Sequence, residues 1–152
     1  MTRPRTVAAL LVLCLAVPAA ARSDWRTELN ARLGRAPDYR AAWDFLSEEA
    51  KRLEGDDRQA AGAILPFLAA KLGEKETERS LVADYFETYK DYDPDFGFLD
   101  DYAVRDFFRF WAAWKRSYPL VYDLCLLAYD RSAATGLPGS VDIGLELLNE
   151  AF

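Results

Sequence analysis

The chain contains no histidine and only two cysteines, Cys14 and Cys125. Without histidine the commonest general base is missing, and with it every Ser-His or Cys-His nucleophile pair and the commonest zinc ligand. Cys14 lies in the N-terminal apolar run, which leaves Cys125 alone within the apolar stretch Leu124 to Leu127. A lone cysteine forms no internal disulfide, and this one is expected as a small buried apolar side chain. No glycine-rich phosphate loop and no Gly-x-Ser-x-Gly elbow occurs. Basic residues are outnumbered, 19 against 25 acidic, which argues against nucleic acid and anionic membrane surfaces as partners.

A long apolar run is also lacking. The uncharged stretch from Thr6 to Ala21 is shorter than the about 20 apolar residues that cross a membrane, and Pro18 interrupts it. What stands there is a secretory pattern. Arg3 and Arg5 precede an apolar centre, Pro18 breaks it, and Ala19, Ala20 and Ala21 supply the small residues that signal peptidase reads. Residues 1–21 are therefore expected to be a cleaved signal peptide, and the mature protein to be periplasmic or extracellular. Removal of 21 residues leaves 152 − 21 = 131, with 19 − 2 = 17 basic and 25 acidic side chains, a net charge of −8. That length is one ordinary domain, 22–152, large enough to bury roughly two-thirds of its unfolded surface.

Apolar residues recur at steps of three and four along this domain, the period of amphipathic helices. Helices are expected over about 24–33, 38–54, 57–72, 76–90, 100–117, 119–134 and 141–152. Asp38 and Asp100 read as N-caps, and Gly34, Gly55 and Gly73 as stops. Pro66 lies inside the third helix, four residues after Gly62, where a kink is expected. The pairs Arg40–Asp44 and Glu48–Arg52 have i,i+4 spacing. The expected fold is all-α, an irregular bundle of about six to seven antiparallel helices, with a short α-α superhelical stack as the alternative.

Three local patterns bear on function. Asp91, Asp93 and Asp95 alternate between two helices, the spacing of a calcium loop. Gly97 at the seventh place, Pro94 at the fourth and Tyr102 at the twelfth depart from an EF-hand. The plainer reading is an acidic turn that caps the next helix. Aromatic residues crowd the segment 85–122, and most fit a buried helical stripe. Tyr92, Phe96, Phe98, Phe108 and Phe110 do not, and are expected to form an exposed contact surface for a partner protein or a glycan. Arg105, Arg109 and Arg116 share one side of the fifth helix. Such a set reads a carboxylate or phosphate, or forms a solvated face paired with Asp101 and Asp106. The function expected from these patterns is an exported binding module. The alternatives are a calcium-dependent structural module and a glycan hydrolase working through two carboxylates.

Overall fold

The computed structural model describes residues 24–89, 98–99, 101–114, 117, 126, 130, 145, 146 and 149. Five helices are traced within them: α1 (Trp25–Leu33), α2 (Tyr39–Glu49), α3 (Gly55–Lys71), α4 (Lys75–Thr88) and α5 (Asp101–Ala112). Residues 126, 130, 145, 146 and 149 are helical too. The all-α expectation holds. Of the six to seven helices expected, five are traced among the described residues, and most of 119–134 and 141–152 lies outside them.

The helix starts follow local chemistry. The Asp24 carboxylate accepts from the Arg26 amide at 3.3 Å, and the Asp38 carboxylate accepts from the Ala41 amide at 2.9 Å. Each satisfies an otherwise orphaned N–H and contributes about 1 kcal/mol. Glycine does two different jobs in the next two turns. Gly73, at φ +75°, ends α3 in a left-handed cap. Its amide donates to the Ala70 carbonyl, and the Glu74 amide donates to that of Ala69, the paired bonds of a Schellman motif. Gly55, expected past the end of α2, instead opens α3 at φ +54°. Helix α2 stops earlier, at Glu49.

Helix α3 is the hub: α2, α4 and α5 all pack on it. Ala60, Ala61, Ala63 and Ala69 are buried along it, interleaved with Ile64, Phe67 and Leu68. Alanines let neighbouring helices approach closely, while each larger side chain fully buried contributes about 1.5–3 kcal/mol. Pro66 is itself buried and the helix runs on through it. Proline inside a helix costs about 3 kcal/mol, which burial in this well-packed position offsets. Gly62 serves the packing directly: a Cβ added there would sit 3.4 Å from the rings of Tyr85 on α4 and of Tyr89, which caps that helix. The three-residue link 72–74 makes α3 and α4 antiparallel, so Gly62 faces the C-terminal turn of α4.

Two surface pairings differ from expectation. Arg40 reaches Glu74 at 3.0 Å instead of Asp44, which ties α2 to the α3–α4 turn. Glu48 pairs with Lys51 at 2.6 Å, and Arg52 pairs with Glu49. Because α2 ends at Glu49, the i,i+4 geometry expected for Glu48–Arg52 does not continue. The Lys51 ammonium, hydrogen-bonded to Glu48, holds that carboxyl below the usual glutamate value.

Candidate functional site

Helix α5 carries the described part of the aromatic-acidic segment. Its stripe buries Phe107 and Trp111 completely, as the three-and-four spacing predicts. Phe107 meets Phe67 of α3 edge-on at 5.8 Å, and Trp111 meets Phe86 of α4 at 5.5 Å. The core of the site is therefore a ring of aromatics contributed by three helices.

The expected contact residues fall into different places. Phe108 is buried, 3% exposed, with its ring against Phe107 at 5.3 Å. The covered arc of α5 is wider than one apolar stripe, so Phe108 belongs to the core and not to an outer surface. Phe98 is half-buried and anchored to α1. Trp25 meets its ring edge-on at 5.1 Å, the Arg26 guanidinium stacks over it at 5.1 Å, and Asn30 donates to its carbonyl. Arg26 also pairs with Asp57 of α3 at 2.6 Å, so Phe98 is part of a structural joint. Phe110 is half-buried, with Phe67 at 6.1 Å and Trp111 at 5.1 Å beneath it. Tyr92 and Phe96 lie outside the described residues, as do Asp91, Asp93 and Asp95. Among the described residues no group of three acidic or cysteine side chains is placed to hold a metal.

Phe110 borders an open hollow of about 340 Å³ between α3 and α5. Phe67, Ala70 and Phe110 give it apolar walls; Lys71, Asp106 and Arg109 give it a charged rim. Lys71 pairs with Asp106 at 2.7 Å, its ammonium 5.5 Å from the centre of the Phe67 ring and 5.6 Å from that of Tyr39. Such a cation over an aromatic face is electrostatically favourable.

Two arginines of α5 share a distant partner. Asp106 is taken by Lys71, and Arg105 and Arg109 both reach Glu146. Arg109 donates to one carboxylate oxygen and Arg105 to the other. The i,i+4 spacing puts the two guanidinium groups side by side, one turn apart, and together they enclose one carboxylate. Arg116 and the Asp101 side chain lie outside what the structure describes. Glu146 stands 37 residues from Arg109 and 41 from Arg105. No local spacing marks a partner that distant, so the fold alone reveals it.

A second hollow, of about 150 Å³, lies between α3 and α4 beside Gly62, with Arg58 and Asp84 on its rim. Among the described residues no helix is long and apolar enough to cross a membrane. No protein-family model matches the chain, and neither a curated protein nor a solved structure matches it.

Proposed function

We propose that this protein is an exported helical binding module, and that its contact surface is the hollow between α3 and α5 around Phe110. The single observation that carries the proposal is the composition of that hollow: apolar walls from Phe67, Ala70 and Phe110 beside a rim of Lys71, Asp106 and Arg109. Apolar walls give affinity by excluding water, and a few placed charges give orientation. Export rests on the leader pattern of residues 1–21. The remaining helices, over 119–134 and 141–152, complete an irregular antiparallel bundle around α3 in this reading.

The test compares Phe110→Ser with Phe98→Ser, each in the full chain expressed with its own leader and purified after export. Bound partners are recovered from periplasmic or culture extract and quantified against wild type. Phe110→Ser keeps the wild-type melting profile within a few degrees and loses the partner. Retention of the partner by a folded Phe110→Ser protein would contradict the assignment. Sequencing the exported protein's N-terminus is expected to begin near Arg22, and a start at Met1 or Thr2 would contradict cleavage.

A further inference from the structure

We infer that the Arg105–Arg109 pair is a carboxylate receptor, that the ligand it takes is an acidic peptide segment with an apolar side chain beside its carboxylate, and that Glu146 occupies the receptor in cis. The inference rests on the proposed contact surface and adds its ligand class and its regulation. Three observations carry it. The two guanidinium groups stand one helical turn apart and take the two oxygens of a single carboxylate, which shows that the spacing fits that group. The receptor adjoins the hollow, because Arg109 bonds Glu146 and also lines the hollow. The hollow beside it is walled by Phe67, Ala70 and Phe110, so a ligand's apolar side chain next to its carboxylate finds a place there.

Arginine suits this role because its planar fork matches a carboxylate and stays charged at every relevant pH. Both arginines are partly exposed, at 43% and 38% of their side chains, and Glu146 at 35%. Water thus reaches the pair, and exchange of one carboxylate for another leaves no charge stranded in the interior. A neighbouring carboxylate tethered to the same chain acts as an intramolecular competitor: it lowers apparent affinity by the fraction of time it fills the receptor. An arriving ligand must displace it, which sets a threshold that weakly acidic or purely apolar peptides do not pass.

The experiment uses the full chain and two synthetic probes, N-acetyl-phenylalanyl-glutamate amide and the corresponding glutamine dipeptide, titrated by NMR. The Glu146→Gln protein is expected to bind the glutamate probe about tenfold more tightly than wild type does, with no gain for the glutamine probe. Adding Arg105→Gln and Arg109→Gln to it is expected to abolish the difference between probes. Should Glu146→Gln lose its fold by circular dichroism, Glu146→Ala, which also removes the carboxylate, carries the same comparison. Equal affinity of the two probes for the Glu146→Gln protein, or no gain on removing the Glu146 carboxylate, would overturn the inference. If those results occur while Phe110→Ser still loses the natural partner, the contact surface stands and only its ligand class and regulation fall.

Discussion

Phe98 and Phe110 are both half-buried phenylalanines in the same stretch of chain, yet their surroundings differ. Phe98 is held by Trp25, Arg26 and Asn30. Its replacement by alanine is expected to cost about 2–3 kcal/mol, read from the urea midpoint. Phe110 lies at the outer edge of the aromatic ring, and its alanine variant is expected to cost about 1 kcal/mol. Gln59 illustrates the reverse of a stabilising contact. It is buried and its side-chain N–H₂ group has no hydrogen-bond partner among the described residues. An unsatisfied buried donor costs about 1–3 kcal/mol, so Gln59→Met is expected to raise the melting temperature by a few degrees. Glu48 supplies a residue-scale pH effect. The hydrogen bond and charge of Lys51 depress its folded carboxyl pKa, so the pair contributes above the unfolded glutamate value and its contribution is lost as pH falls through the folded value. An NMR titration is expected to place Glu48 below the usual glutamate range, and Lys51→Gln to move it back up.

At the scale of elements, α3 shows how little side chain is needed where helices meet closely. Gly62 leaves room for the Tyr85 and Tyr89 rings, and a methyl group in its place would only just be accommodated, at 3.4 Å from both. Gly62→Ala is therefore expected to be neutral or to stabilise by up to about 1 kcal/mol, through helix propensity. Gly62→Val is expected to destabilise by about 1–3 kcal/mol, because branched carbons displace both rings; thermal melts of the two variants separate these outcomes. The helices themselves are legible in the sequence. Steps of three and four place Ala42 and Leu46, Ile64 and Leu68, and Phe107 and Trp111 inward, and Asp38 caps α2 as its place in the sequence suggests. What is not legible depends on how helices meet. Ala60, Ala63 and Ala69 look mild in sequence but are buried because three helices surround α3. Arg40 bonds Glu74, and Arg105 and Arg109 bond Glu146, since a folded chain offers partners that spacing along one helix never reveals. Phe108 lies in the core, against the sequence expectation, for the same reason: its exposure depends on a neighbour's position and not on its own helix.

For the whole molecule, charge sets the context of the proposed binding. The chain is acidic overall, with a net charge of −6, and an acidic ligand is repelled at long range within the Debye length, about 10 Å at 0.1 M salt. Lys71 and Arg109 bring positive charge to one hollow, with Arg105 one turn from Arg109, and Asp106 and Glu146 pair with them. Capture of an acidic peptide is thus expected to depend on this one cluster, and raising salt is expected to weaken it. The most direct measurement is where a ligand lands. Backbone amide shifts of the Glu146→Gln protein, mapped by NMR during titration with N-acetyl-phenylalanyl-glutamate amide, are expected to change most at residues 67–71 and 105–110. Changes centred instead on residues 58–62 and 84–89, around the smaller hollow, or no localised change at all, would contradict the placement of the binding surface between α3 and α5.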